Sequence, residues 1–339
     1  MLRFNPTWRN RRRAIVYEFS QFFIETNGIR LNVAAQGAGP LVLLLHGFPE
    51  TSYAWRYQLA ALSNAGFRAV APDLRGFGRS DCPIESGRYT TLDILGDLIG
   101  LMDALEERSA VVMGNDWGAA IAWQAALLRP DRFRAVVALG VPMMDRAPVL
   151  PSRLFPMTEQ AWLYTHYFSQ PGQAEREFER DVGATLRKLY FWASGDAGQR
   201  DQKTPNPFGM VPRQAGLLDV LPEPVSLPSW LDEAQFDIFV SAFETSGFHG
   251  GLNYYRQLDR NWELQAAFNG LLVQTPALYL VGEHDTGLAI PGMHEIIGAM
   301  PRLVPNLRDS QVIERAGHWL QQEAPDRVNA AVIEFLRGL

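Results

Sequence analysis

The hydrophobic positions at the start of the chain form short apolar runs that alternate with segments of helical spacing. The runs at Leu41–Leu45, 69–72, 110–113 and 135–139 are typical of buried strands. Apolar residues recur at helical spacing between the second and third runs, at Leu92, Leu95, Ile99 and Met102, with Leu98, Leu101 and Leu105 widening the stripe. This alternation predicts an α/β fold with a mostly parallel central sheet and helices on both faces.

The pattern changes on either side of this region. Before it, 22–26 and 29–35 flank Asn27-Gly28, which indicates a hairpin. After Pro142, aromatic-rich helical stretches appear, joined by a Pro- and Gly-containing loop at about 195–228. The α/β pattern returns at 277–281 and 311–313, and a closing helix carries the inward stripe Val328, Val332 and Phe335. We therefore predict a basic extension over 1–20, an α/β core over 21–141 and 265–339, and an inserted helical cap over 142–264.

Composition narrows the range of partners. Of 339 residues, 47% are hydrophobic and 20% charged, as in an ordinary globular protein, and the net charge of -6 makes nucleic acid or an anionic membrane an unfavoured main partner. Cys82 is the single cysteine, so no internal disulfide is expected. No apolar run is long enough to cross a bilayer, and we expect a cytoplasmic protein.

One basic cluster lies at the N-terminus. Its arginines, none of them followed by the apolar stretch of a secretory signal, are Arg3, Arg9, Arg11, Arg12 and Arg13. We interpret this segment as a poorly ordered tail, with a targeting or anion-binding arm as the alternative.

A candidate nucleophile follows the run at 110–113. The sequence Gly114-Asn115-Asp116-Trp117-Gly118 leads directly into a helical segment, and strand, sharp turn and helix are the context of a nucleophile elbow. Glycines on both sides allow the strand and helix backbones to approach. The central residue is Asp116, and no Gly-x-Ser-x-Gly occurs in the chain, so a serine esterase would lack its nucleophile. Asp and Gly also cluster in ordinary turns, which is the alternative.

A base and an acid follow in the order of a catalytic triad. Asp285 lies just past the run at 277–281, and His318 follows the run at 311–313. Alone, Asp285 is equally explained as a helix cap and His318 as a surface histidine. Their order after Asp116 favours a carboxylate nucleophile whose ester is hydrolysed by water that His318 activates. A metal site at Glu283, His284 and Asp285 is rejected, because adjacent side chains diverge and no second ligand cluster supports one.

Oxyanion donors are expected after the first buried strand. Leu41–Leu45 ends in His46-Gly47-Phe48-Pro49-Glu50, where this arrangement supplies a backbone donor. We predict that the backbone N–H groups of Phe48 and Trp117 stabilise the tetrahedral intermediate.

Several of these motifs together resemble one known family. They are His46-Gly47-Phe48-Pro49-Glu50, Trp55-Arg56-Tyr57-Gln58 and Pro72-Asp73-Leu74-Arg75-Gly76-Phe77-Gly78-Arg79-Ser80, followed in the insert by Tyr164-Thr165-His166-Tyr167-Phe168-Ser169-Gln170-Pro171-Gly172 and Leu252-Asn253-Tyr254-Tyr255-Arg256. From about Phe22 to the C-terminus, the chain resembles the soluble type of α/β-hydrolase-fold epoxide hydrolases. One departure is Asn115, where the family often has histidine; we expect it to tune the site.

The resemblance implies an activity and a set of residues. It implies an epoxide hydrolase without cofactor or metal, acting on a small-molecule epoxide and water, with Tyr164 and Tyr255 as the ring-opening tyrosines. Tyr167 and Tyr254 are expected to pack. A phenol can donate a hydrogen bond or a proton to the alkoxide that forms when an epoxide opens. We expect the substrate pocket to be lined by Phe48, Trp117, Trp162 and Trp319.

Two alternatives remain open on the sequence. Haloalkane and haloacid dehalogenases share the Asp nucleophile, the histidine and the acid, but a halide leaves without a proton, and the paired tyrosines favour the epoxide. A non-catalytic α/β-hydrolase that binds a small ligand is the other alternative, and it would be expected to lose part of the triad.

Overall fold

The fold is built around one large sheet, seen in a computed structural model that describes residues 19–200, 204 and 206–339. Predictions for the arginine-rich tail over 1–18 lie outside the described residues. The strands are β1 Ser20–Thr26, β2 Ile29–Gln36, β3 Leu41–Leu45, β4 Arg68–Pro72, β5 Ala110–Asn115, β6 Phe133–Leu139, β7 Ala161–Leu163, β8 Met210–Pro212, β9 Ala277–Gly282 and β10 Leu307–Ile313.

Helices connect these strands and form the insert. They are α1 Arg56–Asn64, α2 Thr91–Ala104, α3 Trp117–Leu128, α4 Pro151–Leu154, α5 Tyr164–Ser169, α6 Gln173–Phe178, α7 Val182–Ala193, α8 Leu217–Val220, α9 Glu233–Ser246, α10 His249–Arg256, α11 Leu258–Leu264, α12 Met293–Ala299, α13 Leu320–Glu323 and α14 Pro325–Arg337. Within the described ranges, no helix is both long and apolar enough to cross a membrane.

The large sheet has eight strands in the order β1-β2-β4-β3-β5-β6-β9-β10. The neighbouring strands in the part of this sheet that runs β4-β3-β5-β6-β9-β10 are all parallel. Strand β2 pairs antiparallel with both β1 and β4. Asn27 and Gly28 join β1 to β2 with φ of 46° and 72°, the left-handed backbone that the hairpin signal predicted. The α/β prediction is confirmed.

Both faces of the sheet are buried. Along β3, Leu41, Leu43 and Leu45 pack into one hydrophobic cluster, while Val42 and Leu44 pack into another on the opposite face. Because successive side chains of a strand point to opposite faces, a strand covered on both sides is apolar at every position. The continuous apolar runs in the sequence have this cause.

The predicted apolar stripe of α2 is buried or partly buried as expected except at its first residue, Leu92. Thr90 caps this helix through a capping box with Asp93, and Leu98 and Met102 are fully buried. Leu92 is 39% exposed, so placing it in the buried stripe was wrong. Successive helical residues are rotated by about 100°, which places Leu92 about 120° from Leu98 and turns it toward solvent.

The insert between β6 and β9 contains α4 to α11 and the short antiparallel pair β7-β8. The helical character was predicted, but the strand pair was not. Strands of three residues are too short to show an alternating pattern in the sequence. The pair closes a loop that brings Met210 next to Leu163, immediately before Tyr164.

Candidate active site

The turn after β5 places Asp116 at the carboxyl edge of the sheet. Asp116 has φ of 53° and directly precedes α3. A side chain on Gly114 would overlap the carbonyl of Gly118, and one on Gly118 would overlap the carbonyl of Leu45. The turn therefore requires both glycines, and strand and helix meet in the close approach expected of a nucleophile elbow.

Asp285 and His318 meet Asp116 at this edge. The His318 imidazole lies between two carboxylates: Nδ1 is 3.0 Å from Asp285 Oδ2, and Nε2 is 3.4 Å from Asp116 Oδ2. Asp285 is 2% exposed, and its Oδ1 accepts a 2.7 Å hydrogen bond from Gly287 N–H. The three residues that the sequence placed in triad order are thus brought into contact.

The charge on His318 depends on both carboxylates. Burial by itself disfavours the imidazolium, but the negative charges and hydrogen bonds of Asp285 and Asp116 outweigh it and raise the pKa of His318 well above its ordinary value. Esterification of Asp116 would remove one of these charges. The pKa of His318 would then decrease, which favours release of its proton and prepares the imidazole to act as a base.

The loop that carries His318 is fixed by a buried carboxylate from α13. Glu323 accepts hydrogen bonds from the backbone N–H groups of Gly195, Gly317 and Trp319, at 2.8 to 2.9 Å. The N–H of His318 donates to the carbonyl of Ala193, at 2.8 Å, where α7 ends. The insert therefore helps to position the histidine of the core.

Phe48 contributes the predicted backbone donor. Its N–H donates to Asp116 Oδ1 at 2.9 Å, and a side chain on the preceding Gly47 would overlap the Asp116 side chain. The other predicted donor, Trp117, begins α3 directly after Asp116. Phe48 N–H thus already faces the carboxyl group that would become the ester.

Tyr164 and Tyr255 come together from the insert. Tyr164 begins α5 and Tyr255 lies in α10, and their ring centres are 6.2 Å apart. Burial is the main reason that the pKa of each phenol is raised, and the negative charge of Asp116 raises both further. Both phenols therefore remain protonated at neutral pH and face the electrostatic field of Asp116.

Their sequence neighbours are already bonded within the protein. The hydroxyl of Tyr167 donates to Glu177 at 2.8 Å, and that of Tyr254 donates to the carbonyl of Arg75 at 2.9 Å. Both side chains are almost completely buried. These contacts agree with the expectation that Tyr167 and Tyr254 pack.

Aromatic rings pack around the triad and the two phenols. Phe48 and Trp117 contact Tyr255, with ring centres 5.7 and 5.1 Å apart. Trp319 packs 4.9 Å from His318 and donates its indole N–H to the carbonyl of Tyr190. Trp162 stacks on His166 and lies beneath Arg213, beside β8. The first three contact a triad residue or a phenol directly, whereas the aromatic contact of Trp162 is with His166 of α5.

Sequence reasoning did not single out Glu50 as a chemical group. Its carboxylate is completely buried and accepts hydrogen bonds from the side chains of Gln321 and Gln322. Burial raises the pKa of Glu50 to about 7, although the charge of His318 acts against this. The signal available in the sequence was a charged residue in the turn directly after β3, a strand that is buried at every position.

The structure also shows the contacts of Asn115 and of the loop that carries Asp285. The Asn115 side chain is fully buried, and its Oδ1 and Asp285 Oδ2 both lie beside Gly140, behind the triad. Glu283 accepts from Arg315 N–H, whereas His284 contacts the carbonyl of Gly195. Glu283 Oε2 also lies 3.8 Å from His284 Nε2, whereas Asp285 turns to His318. The expectation that adjacent side chains of this loop diverge was therefore wrong for Glu283 and His284.

Comparison with known proteins places the chain in a family. The family model described as alpha/beta hydrolase fold matches residues 40–325. The chain therefore belongs to the α/β-hydrolase fold family, which its eight-stranded sheet and nucleophile turn also define.

Its relatives within that family are epoxide hydrolases. Epoxide hydrolase A of Mycobacterium tuberculosis is 40% identical over 322 residues, covering 93% of this chain and 97% of that protein. Epoxide hydrolase 3 of Siraitia grosvenorii is 40% identical over 316 residues, covering 92% and 96%. A solved epoxide hydrolase from an endophytic Streptomyces superposes with a TM-score of 0.89 at 41% identity, covering 94% of this chain and 96% of that one.

Proposed function

We propose that this epoxide hydrolase converts epoxides to vicinal diols through an alkyl ester on Asp116. The observation that carries the proposal is the convergence of one carboxylate and two phenols. Tyr255 packs on Trp117, which follows Asp116, and on Phe48, whose N–H binds Asp116. Tyr164 packs on Tyr255, and the charge of Asp116 acts on both phenols. Nearly full-length relatives at about 40% identity that are epoxide hydrolases support it. The chemistry divides into an alkylation and a hydrolysis.

In the first step, Asp116 Oδ2 attacks one ring carbon, and the bond from that carbon to the epoxide oxygen breaks. The oxygen takes a proton from Tyr164 or Tyr255, which avoids a free alkoxide in a buried site. Donors on the side of the substrate opposite the nucleophile suit in-line displacement. The product is an ester between Asp116 and the opened substrate.

In the second step, His318 accepts a proton from water, and the resulting hydroxide attacks the ester carbonyl of Asp116. Asp285 stabilises the imidazolium that forms. Phe48 N–H and Trp117 N–H stabilise the oxyanion, an interaction whose loss typically costs about 2.7 to 4 kcal/mol. Collapse of the tetrahedral intermediate breaks the ester bond, and the departing oxygen takes the proton from the His318 imidazolium to complete the diol. The carboxylic acid left on Asp116 gives its proton back to the tyrosinate formed in the first step, which restores the Asp116 carboxylate and the phenol.

The proposal includes a division of the chain. Residues 21–141 and 265–339 form the core that supplies the triad, and residues 142–264 form the cap that supplies the tyrosines. The position of α4 to α11 between β6 and β9 supports this division. A cytoplasmic location stays a prediction, which rests on the lack of an apolar run long enough to cross a bilayer and on the single cysteine.

The test is to trap the ester. His318→Gln removes the base of the second step and leaves Asp116 in place, so incubation with styrene oxide should add the mass of one substrate to the intact protein. Asp116→Asn with the same treatment is the control and should keep its mass. An unmodified His318→Gln protein would contradict the two-step route, and release of halide from haloalkanes without diol formation from epoxides would reassign the enzyme as a dehalogenase.

A further inference from the structure

A buried ion pair begins at the residue that follows Tyr255. Arg256 ends α10, and its Nη2 lies 2.6 Å from Glu175 Oε1 in α6. The side chains of Arg256 and Glu175 are only 7% and 11% exposed. Taking two charges out of water has a cost, which their mutual attraction and further hydrogen bonds must offset. The surroundings of Arg256 supply such bonds.

The guanidinium of Arg256 joins the carboxyl ends of two helices. Its Nη1 donates to Asn253 Oδ1 at 2.8 Å, within the last turn of α10, and its Nη2 also donates to the carbonyl of Gln170 at 3.3 Å, directly after α5. Carbonyl groups at a helix end lack partners within the helix and carry partial negative charge, so a cation is stabilised there. Arg256 therefore ties the end of α10, which carries Tyr255, to the end of α5, which begins with Tyr164.

A second contact joins the same two helices at the backbone of Tyr255. The hydroxyl of Ser169, the last residue of α5, lies 3.2 Å from the Tyr255 carbonyl and 2.7 Å from the carbonyl of Thr165. One residue after Tyr255, Arg256 is held by Glu175 of α6. Ring contacts orient the phenol, whereas these polar contacts fix the helix backbone from which it extends.

The network also reaches the core through His249, the first residue of α10. Its Nδ1 lies 3.3 Å from Glu175 Oε1, and its Nε2 lies 3.0 Å from the carbonyl of Ile84, in the loop between β4 and α2. Glu175 therefore contacts both ends of α10, and one of these ends is bound to the core, which supplies Asp116.

We propose that Arg256, held by Glu175, is a positioning residue that sets the place of the Tyr255 hydroxyl for opening the epoxide. This rests on the proposed function, in which Tyr164 and Tyr255 donate a proton to the epoxide oxygen. Arg256 takes no part in bond making, because its contacts are with α5, α6 and α10. Its loss would leave the phenol in place as a chemical group and displace its oxygen, and a displacement of about 1 Å can cost roughly a hundredfold in rate.

Removing one phenol at a time separates positioning from general stability. Arg256→Met is combined with Tyr164→Phe, in which Tyr255 is the only remaining donor, and with Tyr255→Phe, in which no hydroxyl is left for Arg256 to position. Rapid-quench mass spectrometry with styrene oxide measures ester formation on Asp116 in a single turnover, and the decay of the ester measures its hydrolysis. Urea unfolding measures the stability of every variant.

We expect the effect to differ between the two backgrounds. In Tyr164→Phe, Arg256→Met should slow ester formation by roughly ten- to a hundredfold, whereas in Tyr255→Phe it should change the rate by less than about twofold. Hydrolysis of the ester should keep its rate in both, because it depends on His318 and the core. A role confined to stability would slow ester formation by the same factor in both backgrounds, and that result would overturn the proposal.

Two further variants allow the test even if Arg256→Met does not fold. Arg256→Met leaves Glu175 buried without its cation, which can be strongly destabilising, whereas Glu175→Leu with Arg256→Met removes both charges and should fold. Arg256→Lys keeps the charge and loses the planar guanidinium. Both should show the same difference between the Tyr164→Phe and Tyr255→Phe backgrounds, Arg256→Lys with the smaller factor.

The matched control is Arg260→Met in α11. Arg260 forms an ion pair with Glu263 at 2.9 Å, but the two side chains are 57% and 53% exposed. Its loss should change neither rate in either background.

The same measurements separate failure of the positioning role from failure of the reaction. If the wild type forms no ester with styrene oxide, or if Tyr164→Phe with Tyr255→Phe forms it at the wild-type rate, the proposed function fails. If the ester forms, depends on the phenols and is indifferent to Arg256 in the Tyr164→Phe background, only the positioning role fails.

Discussion

The sheet edge that holds Asp116 and the insert that holds the two tyrosines fix their side chains by different means. Asp116 is held by backbone geometry: a φ of 53°, contacts that only glycine permits, and the N–H of Phe48. Tyr164 and Tyr255 are held by ring contacts, including Phe168, which lies 5.3 Å from one and 4.9 Å from the other. The position of Asp116 is therefore determined by backbone conformation and backbone contacts, whereas the positions of the two tyrosines are determined by packing between side chains.

This difference suggests a division of labour. A backbone-held nucleophile has one geometry, because glycine contacts and strand ends cannot shift by small amounts. A packed aromatic cluster can be reshaped by single substitutions that change the space around the phenols and leave the sheet intact. We infer that the sheet edge fixes the nucleophile and the ester it forms, and that the insert supplies the proton donors and determines which epoxide reaches them. The following predictions test this comparison, from the largest effect to the smallest.

Replacing the nucleophile should have the largest effect. In Asp116→Asn the amide is a poor nucleophile and the charge opposite His318 is lost, so kcat/KM for diol formation should fall by about 10⁴-fold or more. The measurement is diol release by chromatography, with the circular dichroism spectrum as the control for folding. Turnover close to the wild-type rate would rule out Asp116 as the nucleophile.

Removing both phenols should slow the first step strongly. In Tyr164→Phe with Tyr255→Phe, the single-turnover rate of ester formation should fall by about 10²- to 10⁴-fold, the usual contribution of general acid catalysis. Each single substitution should cost much less, because the remaining hydroxyl can still donate. Rapid-quench mass spectrometry of the intact protein measures this rate. A double variant that alkylates as fast as the wild type would show that the tyrosines only pack.

Glu50→Gln should change how stability depends on pH. Folding raises the pKa of Glu50 from 4.5 to about 7, so the folded state holds this proton more tightly. Below pH 4.5 Glu50 is protonated in both the folded and the unfolded protein, so its burial does not lower the free energy of unfolding of the wild type. As pH rises through 7 the folded state must ionise a buried acid, which costs about 3 kcal/mol.

The free energy of unfolding of the wild type should therefore decrease between about pH 5 and 8 relative to Glu50→Gln. Urea titrations at a series of pH values measure the difference. Curves that stay parallel across this range would contradict a raised pKa for Glu50 in the folded protein.

The smallest effect is expected at a tyrosine whose hydroxyl is already bonded. Tyr167→Phe removes a hydrogen bond to Glu177, and the protein should lose about 1 kcal/mol of stability. Ester formation should proceed at the wild-type rate, which makes this variant the matched control for Tyr164→Phe. A loss of alkylation as large as that of the double variant would remove the distinction between the two kinds of tyrosine.

The sequence predicted the sheet well because its strands are buried on both faces. The predicted runs at 69–72 and 135–139 differ from β4 and β6 only at their N-terminal ends. The run at 311–313 was too short, because β10 starts at Leu307 and its first residues are largely exposed at the sheet edge. Exposure removes the apolar pattern from which a strand is predicted. The pair β7-β8 was not predicted because strands of three residues are too short to show an alternating pattern.

The site was only partly open to prediction from local sequence. The elbow around Asp116 has a motif because the nucleophile and the two glycines that it requires lie within five adjacent residues. Asp285 and His318 are separated from it by long stretches of chain, and only their order along the sequence pointed to them. Glu50 has no motif of its own: what distinguishes it is burial beside groups that are distant in sequence, Gln321 and Gln322.

The sequence by itself determined the alternation of strands and helices, the turn that presents Asp116, and the order of the triad, since each depends on residue types at short spacing. The tertiary structure decided which of the tyrosines lie within reach of the Asp116 charge and how the Glu323 carboxylate fixes the His318 loop. These features depend on desolvation and on contacts between segments far apart in the chain, and neither is encoded in a local pattern.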